Sequence, residues 1–355
     1  MTVIKSLGKI ALSTVLVGAL IAVVIAPFAG LSGVAIARTN DTMQSDLQDL
    51  TAGDAPGVST ILDAKGNSLA YIYEQRRHPV SAEKISKPMK QAIVAIEDRR
   101  FYEHEGVDFQ GNFRALWSNL ASGGVSQGAS TLNQQYVKNY LLLVNAKTEE
   151  ERAAAIEQSV PRKLREMRMA TDLDKKLDKE EILSNYLNLV PFGNHAYGVE
   201  AAARTYFGTH ASELTVPQAA MLAGMVQSSE YLNPFTNKDE VLSRRNLVLQ
   251  SMADSGSITQ EEADKYAQQD LGVLDKPSLL PNGCISAKDR GFFCDYVIEY
   301  LEEKGISREQ LARGGYTIRT TLNPDVQDQA LNAVRSQTDP NTPGVAEVML
   351  SLIHI

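Results

Sequence analysis

The chain has 355 residues, a formal net charge of −8 and two cysteines. An apolar content of 43% supports a real core and excludes global disorder, and the length allows about two domains. Net acidity argues against a dedicated nucleic-acid binder, which needs a basic face; two cysteines exclude a disulfide-dense scaffold and a four-cysteine zinc site.

Residues 10–37 form an almost unbroken apolar run without a charge, longer than the roughly 20 residues a spanning helix needs. Lys5 and Lys9 precede it, while Arg38, Asp41 and Asp46 follow. The positive-inside bias therefore keeps residues 1–9 cytoplasmic and sends the remainder outside. Ala35-Ile36-Ala37 resembles a cleavage site. The apolar run is about twice the usual 7–15 residues of a signal peptide, which favours an uncleaved signal anchor.

Residues 38–58 are small and polar and suit a tether. Ser59–Leu62 and Ser68–Tyr73 have strand character around the turn Asp63-Ala64-Lys65-Gly66-Asn67. From Pro88 the pattern is helical for about 170 residues. Met89, Ala92, Ile93 and Ile96 give one apolar face that ends at Glu97-Asp98. A glycine-rich stretch, Ser122–Gly128, reads as a loop, and the spacing of Thr131 to Gln134 predicts a capping box and a helix start. Further helices are predicted at Glu180–Leu189, Pro217–Val226 and Leu242–Met252. Residues 272–290, with Pro277, Pro281 and Gly283, form a break before a helix at 294–304. Gly314-Gly315 then leads into Tyr316–Thr321, which alternates like a strand.

Three segments carry chemistry. A carboxylate pair at a helix end, Glu97-Asp98, followed by aromatics and His104, suits general acid–base work if partly desolvated; helix-end carboxylates are more often simply solvated. After Thr131, a helix start offers free N–H groups to an anion, and Gln135, Lys138 and Asn139 share one helical face, although an ordinary cap with a solvated polar face gives the same pattern. Arg162 and Lys163 share a face with Glu166. The cations suit a diphosphate, and Glu166 could pair with them or hold a divalent cation; a row of surface salt bridges is the plain alternative. Tyr186, Asn188 and His195 are lesser polar candidates, and a lone His195 in a loop indicates nothing specific.

In order, EDRRFYEHEG, GASTLNQQYVKN, RKLRE, ILSNYLNLVPFG with YGVEAAARTYFG, and LTVPQAAMLAGMVQSSEYLNP resemble the five-motif signature of family-fifty-one peptidoglycan glycosyltransferases, over about residues 59–250. Arg244–Leu249 and Tyr316–Leu322 resemble the bifunctional class A penicillin-binding proteins, and NGC…GFFCDYV is similar to their actinobacterial branch. The resemblance implies a mainly α, lysozyme-like glycosyltransferase domain with an N-terminal transmembrane helix and small β pieces. The expected division is 1–9 cytoplasmic tail, 10–37 anchor, 38–58 tether, 59–250 glycosyltransferase domain, 251–315 helical connecting region and 316–355 the start of a linker or transpeptidase region.

The implied substrates are lipid II and the growing glycan chain, used at the outer membrane face alongside other cell-wall synthesis proteins. Glu97 matches the general base and Glu166 the second acidic residue, which positions cations or a metal ion, Mg2+ or Mn2+. Lys138, Arg162 and Lys163 match the cations on the diphosphate. Ser130, Gln135 and Asn139 match the polar wall of the donor cleft, with Tyr186 and Asn188 as further members. Asn133, Gln218 and Ser229 depart from the usual Thr, Glu and Pro, and none is a proposed catalytic group.

A transpeptidase S-x-x-K with its partner motifs is missing, and Ser81-Ala82-Glu83-Lys84 reads as a chance match. The chain stops about where that domain would begin and ends in Ser351–Ile355, which does not resemble the family; the expectation is a truncated reading frame. Export places Cys284 and Cys294 in an oxidising space, where they are expected to pair. The alternatives to a glycan polymerase are a lysozyme-like hydrolase, since that fold also sets carboxylates around a sugar, and an inactive membrane-tethered fragment.

Overall fold

A computed structural model describes residues 55–111, 130–146 and 148–337. The expected anchor at 10–37, the glycine-rich loop at 122–128 and residues 338–355 lie outside the described residues. No helix among the described residues is long and apolar enough to cross a membrane.

The fold is mainly helical. Strands β1 (Ser59–Leu62) and β2 (Ser68–Ile72) form an antiparallel hairpin, and the short β3 (Arg76–Arg77) leads into the helices. Asp63 closes the hairpin turn by accepting from the backbone N–H of Lys65 and Asn67, both at 2.8 Å. The second strand ends one residue earlier than the sequence suggests. Tyr73 donates its N–H to the Asn282 side chain at 3.1 Å instead of extending the ladder.

Helix α1 (Lys87–Glu97) begins at the Ser86 cap, with a proline in its first turn where no N–H partner is needed, and buries Met89, Ala92, Ile93 and Ala95. Helix α2 (Leu132–Tyr140) starts at the predicted capping box, with Thr131 and Gln134 satisfying each other's backbone N–H groups. Helices α3 (Glu149–Ile156), α4 (Val160–Lys176) and α5 (Lys179–Leu189) follow. Strand β4 (Ala196–Tyr197), parallel to β3, precedes α6 (Val199–Phe207). Helix α7 (Val216–Met225) is buried from Ala219 through Met225, as befits an apolar helix at the centre of a bundle. Helices α1 and α8 (Lys238–Asp254) pack against it, and α9 (Gln260–Ala267) adds Ala263 to the same core. The chain then runs through α10 (Gly291–Glu303), α11 (Arg308–Arg313), β5 (Thr317–Arg319) and α12 (Pro324–Gln337).

The cores divide the chain differently from the expected boundaries. The large helical core runs from Ile85 to Leu271, past residue 250. A second, small core joins Ile61, Leu69 and Ala70 of the hairpin to Ala287, Cys294, Val297, Ile298, Leu311 and Leu322. Strand order β2-β1-β5 explains this: β5 pairs parallel to β1, so the far end of the described chain completes a sheet that a hairpin alone could not stabilise. Cys284 and Cys294 are joined as a disulfide inside this unit, with Cα atoms 5.5 Å apart.

Two buried arginines tie the lead-in strand to the helices. Arg77 donates to the carbonyls of Asn188 and Leu189 at the C-terminus of α5, at 3.0 and 3.1 Å, and to Pro56 at 2.7 Å. Burial pushes its guanidinium down to about 10, and the negative end of the α5 dipole suits the charge that remains. Arg76 donates to Thr205 Oγ1 on α6 at 2.6 Å and to the loop carbonyls of Ser278 and Asn194 at 2.8 and 3.1 Å.

Candidate active site

The site grows from the junction of α1 and α2. Asp98, the residue after α1, is buried and accepts from the Leu132 N–H at the start of α2 at 3.0 Å. Its two oxygens also lie 3.0 and 2.9 Å from His104 Nε2. Gly106 finishes the turn in the left-handed region (φ +83°), where a Cβ would collide with the α4 backbone at Ala170, and its carbonyl accepts from Thr131 Oγ1 at 2.6 Å. Thus the carboxylate pair divides its labour. Asp98 joins the two helices, which leaves Glu97, the last residue of α1, free to face outward from that joint.

Glu97 is half-buried and meets α2 one turn in. Gln135 Nε2 donates to Glu97 Oε2 at 2.8 Å, and the hydroxyl of the fully buried Tyr186, from α5, donates to Gln135 Oε1 at 3.0 Å. Burial holds the Tyr186 phenol well above its ordinary range, and the nearby charge of Glu97 adds to that. Asn139 donates to the Gln135 carbonyl at 2.9 Å. Lys138 is half-buried and has no ion-pair partner among the described residues.

A cationic cluster meets the chain just before α2, at the same N-terminal end. Lys163 Nζ donates to Ser130 Oγ, just before the helix cap, at 2.7 Å. It also pairs with Glu166, whose second oxygen takes Arg162 Nη1 at 2.6 Å. The Glu166 side chain is only 5% exposed, against 22% for Arg162 and 36% for Lys163. One shielded carboxylate therefore holds two cations with their free donors turned toward water. This answers the alternative in which Glu166 holds a metal: both oxygens are engaged by cations, and among the described residues no cluster of acidic, His or Cys side chains could bind an ion. The donor set does not fit Mg2+ or Mn2+.

Of the remaining expected residues, Asn188 stands apart from both clusters. Its amide holds the Val80 backbone, donating to the carbonyl at 2.8 Å and accepting from the N–H at 3.0 Å, which makes it a brace for the lead-in strand. His195 is exposed in a tight loop with positive φ, and Ser81 and Lys84 bracket a single 3-10 turn. Sequence reasoning missed the role of Arg244. It lies half-buried on α8; burial lowers its proton affinity, while the charge of Glu97 opposes that. Its neighbour Arg245 turns the other way, onto the carbonyls of Ala267 and Gln269 at 3.0 and 2.7 Å. The only signal was the arginine doublet, and helical spacing alone does not say which member faces the site.

With this geometry in hand, the comparisons define the class. Residues 65–253 match the transglycosylase family, and the chain belongs to that family. It is 37% identical over 278 residues to penicillin-binding protein 1A of Escherichia coli, covering 78% of this chain and 30% of that protein. Penicillin-binding protein 1F of Bacillus subtilis is 34% identical over 295 residues, covering 81% of this chain and 39% of the relative. For penicillin-binding protein 1A of Mycolicibacterium smegmatis the identity is 32% over 306 residues, with 84% and 37% covered. The chain thus spans about a third of the length of these curated relatives. A crystal structure of penicillin-binding protein 1A from Haemophilus influenzae aligns at 23% identity and a TM-score of 0.40, over 80% of this chain and 29% of that one.

Proposed function

We propose that this protein is a peptidoglycan glycosyltransferase of the class A penicillin-binding type, which polymerises lipid II into glycan strands. One observation carries the reading. The cation cluster holds Ser130, just before the α2 cap, and Glu97 holds Gln135 in the first turns of α2, so a base and a cationic pocket meet the start of one helix. That arrangement suits a reaction in which a base takes a proton while a diphosphate departs beside cations.

The 4-hydroxyl of the acceptor sugar gives its proton to Glu97 as its oxygen attacks the anomeric carbon of the growing chain. The new C–O bond forms with inversion while the bond to the lipid diphosphate breaks, and the diphosphate leaves with the electron pair. Lys163, Arg162 and Lys138 receive the departing charge, and Glu166 keeps the first two in place. Ser130 fixes Lys163 from the side of the loop. Fixed charges of this kind act without reorganisation at the moment of transfer. A hydrolase of finished glycan would have no diphosphate for that cation pocket to hold.

In this reading residues 10–37 anchor the chain in the cell membrane with the catalytic side outside, where the disulfide is stable. The fold is lysozyme-like. The test supplies labelled lipid II to detergent-solubilised wild type and Glu97→Gln. Polymer from wild type that falls at least a hundredfold in the variant supports the assignment. Equal polymer from both would remove Glu97 as the base, and release of sugars from finished glycan would favour the hydrolase.

A further inference from the structure

We infer that Tyr186 is a positioning residue for the general base: through Gln135 it decides which end of an amide faces Glu97, and so which carboxylate oxygen is left to take the proton. The inference rests on Glu97 being that base. A glutamine amide has two ends of nearly the same shape, one a donor and one an acceptor, and shape alone does not choose between them. An ionised Glu97 accepts only, so it requires the NH2 end. Tyr186 makes that choice permanent. Its hydroxyl reaches Gln135 Oε1 at 3.0 Å, and the amide nitrogen reaches Glu97 Oε2 at 2.8 Å. If the amide turned over, it would meet the phenol with its NH2, and the buried hydroxyl proton would lose the only acceptor the described residues give it.

The consequence appears once Glu97 has taken a proton. A free amide could then rotate and offer its oxygen to the new acid O–H on Oε2, settling the base in its protonated form. With Tyr186 in place the amide stays a donor. Oε2 remains occupied, and the proton is received and returned on Oε1. Among the described residues, Gln135 from α2 donates to Glu97, and Tyr186 from α5 and Arg244 from α8 feel its charge. Tyr186 stays neutral and Arg244 stays charged at working pH, so neither titrates with the base. This separates Tyr186 from a substrate-binding role: it is fully buried and acts through one side chain.

The experiment uses the full chain in detergent with lipid II, comparing Tyr186→Phe, Gln135→Ala and the double variant. Tyr186→Phe is expected to lose about tenfold in kcat, the worth of one directing hydrogen bond, with KM within about twofold of wild type. In the Gln135→Ala background the same substitution should change nothing further. Losses that multiply, a KM effect without a kcat effect, or wild-type activity in Tyr186→Phe would each overturn the inference. A second arm does not depend on turnover. The side-chain amide signals of Gln135, assigned in 15N-labelled protein by their absence in Gln135→Ala, should shift or broaden in Tyr186→Phe, and unchanged signals would overturn the inference. If the wild type makes no polymer, the enzymatic reading fails while this arm still decides the amide's orientation.

Discussion

Replacing Asp98 by Asn tests the joint on which the site is built. The substitution keeps the shape and removes one acceptor. In the wild type both Asp98 oxygens accept, from Leu132 N–H and from His104 Nε2. Leu132 N–H and His104 Nε2 share one of these oxygens, so asparagine keeps both bonds there only by setting its NH2 against the Nε2 proton. With its oxygen on Leu132, its NH2 meets His104 Nε2, and the imidazole must move its proton to Nδ1. That nitrogen is buried with no partner among the described residues, so a donor there would be left unsatisfied. An unsatisfied buried donor costs about 1–3 kcal/mol, and losing a negative charge at the start of α2 adds roughly 1 kcal/mol. The expected loss is about 2–4 kcal/mol, which in a domain of this size lowers Tm by about 4–16 °C. Thermal denaturation in detergent reads it, followed by near-ultraviolet circular dichroism, which reports on the buried aromatics around Phe101. A Tm within about 1 °C of wild type would refute the reasoning, because it would mean that Asp98 does not hold α1 to α2. Polymerisation should fall further than stability alone explains, since Glu97 takes its direction from the same joint.

Two further outcomes are expected. Glu166→Gln should leave the fold intact within about 1–3 kcal/mol, because Arg162 and Lys163 retain partial solvent, but should reduce lipid II polymerisation at least fiftyfold as the two cations separate; comparable activity in low and high salt would contradict it. The paired change Cys284→Ser with Cys294→Ser should destabilise the small core by about 2–3 kcal/mol while the helical core keeps its Tm. Limited proteolysis checks this, with new cleavage expected between residues 272 and 290, and a single concerted loss of both cores would count against their independence.

Much of the site was legible because its residues sit on elements that announce themselves locally. Thr131 and Gln134 carry a capping box in their spacing, so the start of α2 was readable, and with it the shared face of Gln135, Lys138 and Asn139. Arg162, Lys163 and Glu166 were readable as one face for the same reason. What sequence could not show was which polar groups are consumed by the fold. Asn188 looks like a ligand in a string of letters, yet its amide is matched atom for atom to the Val80 backbone. Asp98 and Glu97 are adjacent and chemically alike, but the turn after α1 sends one inward and the other toward Gln135. The small core was illegible for a different reason. Its sheet needs β1 and β5, whose pairing spans the whole described chain, and no local pattern encodes such a partner.

The charge distribution follows from the same division of labour. A chain of net charge −8 would ordinarily repel a lipid-linked diphosphate, and in water at physiological salt that field is screened beyond about 8 Å. What matters is therefore the potential within that distance, and there the balance is reversed. Glu166 is shielded and offsets one of the two charges of Arg162 and Lys163, so the remaining cation and Lys138, which has no ion-pair partner among the described residues, dominate what a ligand near α2 experiences. Glu97, meeting the same helix at Gln135, is offset by the charge of Arg244 and by a donated amide hydrogen, which keeps a second anion from cancelling the pocket's attraction. The overall acidity belongs to the rest of the chain, and the local field to charged side chains of α1, α2, α4 and α8.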